Sequence, residues 1–151
     1  MIHARNDEPD SSAAAVRLER LAAFAPNFRD PGAVFGNHPP DTGTGTRDDP
    51  IRLNSFELSE FGTRFFSMVY DAGWIIRGFD WPAWIRTEEG RLATDRAALG
   101  TATCDQLAKL LTAVVRQDRF YDGALEDAFE SGLLRAIAER AEVLASEIDQ
   151  Q

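Results

Sequence analysis

Between Thr103 and Arg119 the chain reads as a helix with two opposed faces, and no other segment constrains the fold as strongly. Thr103 and Gln106 have the spacing of a capping box, in which a hydroxyl and a side-chain amide satisfy the first free N–H groups of a helix. At about 100° per residue, Leu107, Leu110, Leu111 and Val114 fall on one side. Asp105, Lys109, Thr112, Arg116 and Arg119 fall on the other, within roughly 80°. A helix so divided needs apolar partners on its aliphatic side and presents the opposite side as a cationic stripe.

The partners are legible in the same way. A helix is expected from about Ala13 to Ala25, capped by Ser11 or Ser12, carrying Val16, Leu21, Phe24 and Ala25 inward and ending at Pro26. Asn54 and Glu57 predict a second helix to about Tyr70 or Ala72, with Leu58, Phe61, Phe65, Met68 and Val69 on one face and Gly73 as its stop. Asp80 can cap a short helical segment that tolerates Pro82 in its first turn. Residues 87–100 read as a loop with a short helix. A turn at Tyr121–Gly123 leads to a short helix ending at Gly132, and Leu134, Ile137, Ala141, Leu144 and Ile148 make the seam of a last helix.

Residues 29–53 hold Pro31, Gly32, Gly36, Pro39, Pro40, Gly43, Gly45 and Pro50, and are expected to form a long irregular connector. Trp74–Arg77 is the only stretch with a strand-like look. The expected architecture is therefore all-α: a flexible N-terminus over 1–12, then one helical domain over 13–151 of five to six helices.

Composition narrows the function classes. With 16 Lys and Arg against 25 Asp and Glu, the 151-residue chain carries a formal charge of -9. Nucleic acids and anionic membranes are bound mainly through cations, so direct nucleic-acid binding and membrane association are disfavoured. The acids gather from Asp122 onward: Asp122, Glu126, Asp127, Glu130, Glu139, Glu142, Glu147 and Asp149, opposed only by Arg135 and Arg140. That stretch is either a solvated helix surface or a face that meets a basic partner. Cys104 is the only cysteine, which rules out an intrachain disulfide and a Cys-rich metal site. His3 and His38 are the only histidines, both in segments with no rigid frame, so no nucleophile–imidazole pair or multi-His metal site is implied. The acidic start without an apolar core argues against a secretory signal, and a cytoplasmic location is the default.

Two clusters have the chemistry of a binding site. Lys109, Thr112, Arg116 and Arg119 could hold a phosphate or carboxylate, since guanidinium groups bind such oxyanions through paired hydrogen bonds. The plainer alternative is that these cations serve the helix dipole and tie down Asp118, Asp122, Glu126 and Asp127. Trp81 and Trp84, three residues apart beside Asp80, could stack a planar ligand or could form a satellite core with Trp74 and Phe79. No cofactor or metal is implied. Two functions follow as expectations: a non-enzymatic interaction or regulatory protein, with an acidic inhibitor of a nucleic-acid-binding protein as one form; or a ligand-binding or enzymatic domain whose pocket lies between Trp81–Trp84 and the Lys109–Arg119 stripe.

The elements Phe79-Asp80-Trp81-x-x-Trp84, Lys109-Leu-Leu-Thr112, Arg116-x-Asp-Arg119-Phe120-x-x-Gly123 and Ala128-Phe129-Glu130-Ser131-Gly132 resemble a family of short bacterial proteins known only as a domain of unknown function. The resemblance runs from about residue 16 to the last helix. Where that pattern often has His-Leu-Ala after the glycine, this chain has Ala124-Leu125-Glu126. It implies one domain in which the basic helix and the tryptophan segment belong to a single plan, and it carries no activity or ligand with it.

Overall fold

The computed structural model describes residues 4–52, 56–119 and 123–149. Its chain order is α1 (Ala4–Ala22), α2 (Ala25–Arg29), β1 (Gly36–Asn37), β2 (Glu57–Leu58), α3 (Glu60–Asp71), α4 (Trp81–Trp84), a 3-10 turn (Glu89–Ala93), α5 (Arg96–Leu99), α6 (Cys104–Gln117), α7 (Ala124–Glu130) and α8 (Leu133–Asp149). The domain is all-α; its short antiparallel pair, Gly36 with Leu58 and Asn37 with Glu57, staples the connector to the start of α3.

Helix α6 runs through the core. Thr103 and Gln106 form the capping box that their spacing predicts, with Thr103 Oγ1 accepting from the Gln106 N–H and the Gln106 amide oxygen accepting from the Thr103 N–H. Leu107, Ala108 and every residue from Leu110 to Val115 are buried, so the middle of this helix is covered on all sides. The last helix also follows its sequence pattern: Leu134, Ile137, Ala138 and Ala141 of α8 are fully buried, and Leu144 and Ile148 pack at the edge of the same core.

Several boundaries move. Helix α1 begins at Ala4, nine residues before the expected start, and runs through Ser11 and Ser12, which therefore do not cap it. Pro26 does not end that helix; it sits in the first turn of α2, where a missing N–H costs nothing. Asn54 lies outside the described residues. The cap of α3 is Ser59, whose hydroxyl accepts from the Gly62 N–H while donating to the Phe35 carbonyl. Glu57 is in β2, not in the helix. Trp74–Arg77 contains no strand and instead lies as a loop against α6.

Gly73 does stop α3. Its φ of 82° lets the Trp74 N–H bond back to Val69 and the Gly73 N–H to Tyr70, the paired closure that consumes the last free carbonyls of a helix. Gly62 has a different role. A Cβ there would collide with the Phe35 carbonyl oxygen, so only glycine lets the first turn of α3 lie against the connector.

The connector is more structured than its composition suggests. Phe35 is 1% exposed and joins Phe24, Phe28, Phe61, Phe65 and Phe129 in one aromatic cluster. Phe28 meets Phe65 edge-on at 5.2 Å and Phe35 stacks on Phe129 at 5.0 Å, geometries that add about 0.5–1.5 kcal/mol per pair beyond burial. A single aromatic side chain thus anchors the middle of an otherwise polar segment. His38 extends the same tie by hydrogen-bonding Glu126 of α7. Among the described residues no helix is long and apolar enough to cross a membrane.

Candidate functional site

The stripe on α6 is interrupted at its centre. Thr112 is 1% exposed, and its hydroxyl is fully engaged. It accepts from the Ile76 N–H at 3.0 Å and donates to the Ala108 carbonyl at 2.8 Å, with the Trp74 carbonyl the other acceptor in reach at 3.3 Å. The segment after α3 lies on this part of the helix, so Thr112 holds a loop and is closed off from solvent. The periodicity that groups Thr112 with Lys109 and Arg116 is correct. What it cannot reveal is that a loop from 36 residues earlier in the chain covers that position.

At the N-terminal end of the stripe, Lys109 belongs to an internal network. Its ammonium meets Glu89 at 3.2 Å and Asp105 at 3.3 Å. Glu89 also accepts the Trp84 indole N–H at 2.7 Å and the Gln106 side-chain amide at 3.2 Å. The indole first, then Gln106 and Lys109, hold the Glu89 carboxyl below the ordinary glutamate value. Glu89, then Asp105, hold Lys109 above the ordinary lysine value. The structure therefore brings Trp84 and Lys109 together, as the pocket reading expects, but through a carboxylate of the same chain. An open groove of about 300 Å³ borders this network, lined by Glu88, Glu89, Leu92, Ala98, Thr101 and Gln106. With two carboxylates and no cation in its wall, its chemistry is opposite to that of an anion pocket.

The remaining stripe and tryptophan residues divide between interior and surface. Trp84 is buried, Trp81 half-buried, and Asp80 caps α4 through the Ala83 N–H at 3.2 Å. Arg116 is half-buried and Arg119 exposed. Neither makes an ion pair among the described residues. Asp122, one of the acids expected to meet them, lies outside the described residues, as do Tyr121 of the expected turn and His3.

Two connections had no signal in the sequence. The Arg17 guanidinium bonds the Gly73 carbonyl at 3.2 Å and Cys104 Sγ at 3.4 Å while lying 4.7 Å from the Trp74 ring centroid. One side chain thereby joins α1, the end of α3 and the start of α6. Glu89 was equally hidden, because nothing in a polar run such as Thr87-Glu88-Glu89-Gly90 distinguishes the two acids.

On the acidic C-terminal helices, several carboxylates are engaged within the chain. Arg29 bonds Glu139 at 2.9 Å and also pairs with Glu142, and Arg135 meets Glu139 at 3.3 Å. Glu130 and Glu147 stay exposed without an ion pair among the described residues. Also among the described residues, no three His, Cys, Asp or Glu side chains converge as a metal site requires.

These features define a small all-helical domain whose interior polar groups hold its elements together around one capped central helix. The chain belongs to the family of unknown function DUF6508, which it matches over residues 13–147. Comparison with curated proteins and with solved structures finds no match.

Proposed function

We propose that this chain is a non-enzymatic interaction or regulatory protein of the cytoplasm. In its sharpest form it is an acidic inhibitor that covers the cationic surface of a nucleic-acid-binding protein. The observation that carries this reading is the outward placement of Glu130 and Glu147 on α7 and α8 in a chain of net charge -9. Engagement of Trp84, Lys109 and Thr112 by groups of the same chain supports it further. The test is affinity capture from a bacterial lysate, followed by binding measurements with the purified partner at about 50 mM and about 500 mM salt, across which exposed charge pairs become strongly screened. Affinity should fall at least tenfold, and Glu130→Lys with Glu147→Lys should weaken it at low salt. Equal affinity at both salts removes the reading.

A second reading, a domain for a phosphate- or carboxylate-bearing ligand, is favoured by one observation: Arg116 and Arg119 lack ion pairs among the described residues. Thermal unfolding with nucleotides, polyphosphates and organic acids tests it, since a ligand that binds only the folded state stabilises by RT ln(1 + [L]/Kd). The shift should vanish in Arg116→Ala and Arg119→Ala. A screen without a shift excludes this reading.

A further inference from the structure

A second surface has the opposite charge. Ala13, Val16, Arg17, Arg20, Ala23 and Phe24 recur at intervals of three and four, and so form one face along α1 and the turn that follows it. Along α3, Arg64, Met68 and Asp71 recur in the same way. Between these faces lie two adjoining grooves of about 410 and 420 Å³ that share Arg20 and Asp71 in their walls. From Ser12 to Ala22 the helical rise is about 15 Å, nearly three turns.

The floor is apolar and partly open. Val16 is 53% exposed, and Phe24 and Met68 carry the apolar surface onward to the aromatic cluster. Arg17 is held by Gly73, Cys104 and Trp74, as described above. Arg20 and Arg64 are exposed, and among the described residues neither forms an ion pair or side-chain hydrogen bond. Two uncommitted guanidinium groups therefore rim an apolar trough in an acidic protein. Helix α1 packs against α8 and buries Leu18 and Leu21, whereas Ala13, Val16 and Arg20 on the trough side are exposed.

We infer that the α1–α3 trough docks an amphipathic helix of a protein partner, one bearing Asp or Glu beside its apolar stripe. The inference takes the interaction reading as its premise but uses a different surface. Two neighbouring helices open along one side accept a third whose apolar residues at i, i+3, i+4 and i+7 fill the trough. Carboxylates flanking that stripe meet Arg20 and Arg64, which suit planar oxyanions better than lysine would. Asp71 at the centre sets the register by disfavouring an acid opposite it.

The test uses the full chain and two fluorescein-labelled helical peptides of identical Leu seam, one flanked by Glu and its twin by Lys, read by fluorescence polarisation at low salt. The Glu peptide should bind at least tenfold more tightly than the Lys twin. The double variant Arg20→Glu, Arg64→Glu should lose that preference while its melting temperature stays unchanged, and Val16→Asp should weaken both peptides. Equal binding of the twins, an unaffected double variant, or a Kd for the Glu peptide weaker than about 1 mM overturns the assignment. So do two further results: self-association that the double variant abolishes, which makes the occupant a second copy, and binding to anionic phospholipid vesicles that exceeds peptide binding. The double variant leaves Glu130 and Glu147 intact. Salt-sensitive capture of a basic partner therefore stands or falls separately.

Discussion

Replacing Thr112 with Val tests whether the α6 hydroxyl holds the loop after α3. Valine keeps the shape of the side chain and removes only the oxygen. The Ile76 N–H then loses its 3.0 Å acceptor at a site where Thr112 is 1% exposed. A donor left without a partner away from water costs about 1–3 kcal/mol. The methyl that replaces the hydroxyl returns up to about 0.8 kcal/mol through burial. The net destabilisation is about 1–2 kcal/mol. For a domain of this size that lowers the melting temperature by about 2–8 °C. Urea unfolding followed by tryptophan fluorescence should show a lower midpoint at unchanged slope, because the exposed surface does not change. Hydrogen exchange supplies the local readout: the Ile76 amide should lose protection more than the amides in the middle of α6. Thr112→Ser keeps the hydroxyl, so it should retain that protection and cost only the lost methyl. A Thr112→Val protein as stable as the parent, with Ile76 equally protected, refutes the reasoning.

Three other expectations can be checked with the same assays. Arg17→Ala removes two hydrogen bonds and the contact over Trp74, and should cost about 1–2 kcal/mol in urea unfolding. Arg17→Lys should recover only part of this, because an ammonium cannot stack and donate in a fixed fork. Gly62→Ala should destabilise by about 2 kcal/mol, since its Cβ meets the Phe35 carbonyl. The gain of about 1 kcal/mol usual for alanine in a helix interior would contradict that contact. Glu89 has a folded-state value lowered from 4.5, so its contribution to stability is complete above pH 4.5 and disappears as the pH falls through the lowered value. The difference in melting temperature between the parent and Glu89→Gln should therefore shrink on acidification from pH 5 to pH 3 (about two units spanning that window). A constant difference shows that the carboxylate is not held by Trp84, Gln106 and Lys109.

The parts of the fold visible in the sequence are those set by neighbours within one or two helical turns. The Thr103–Gln106 box, the Asp80 cap, the Gly73 stop and the Leu134–Ile137–Ala141 seam all depend on contacts across three to seven residues. Residue types at those spacings identify them directly. Boundaries that failed are those where a distant contact chose the cap. Helix α3 is capped by Ser59, whose hydroxyl also bonds Phe35, 24 residues away, a partner that no local spacing reveals. Phe35 organises the connector because Phe28, Phe61, Phe65 and Phe129 surround it, and three of those four lie well along the chain.

The same division applies to the sites. Periodicity alone establishes that Lys109, Thr112 and Arg116 share a face of one helix, whereas Arg119, expected on the same helix, lies in the turn just past its end at Gln117; composition alone establishes that the chain is acidic and holds a single cysteine. Which of those side chains reach solvent was decided by the tertiary structure. The loop from Trp74 to Ile76 covers Thr112, and Glu89 draws Lys109 and Trp84 into one network. Among the described residues, Arg20 of α1 and Arg64 of α3 rim one groove without an ion pair, although 44 residues separate them in the sequence. A helix repeat fixes direction around its own axis. Only packing against segments distant in sequence determines whether that direction ends in water, in a neighbouring carboxylate or in a trough.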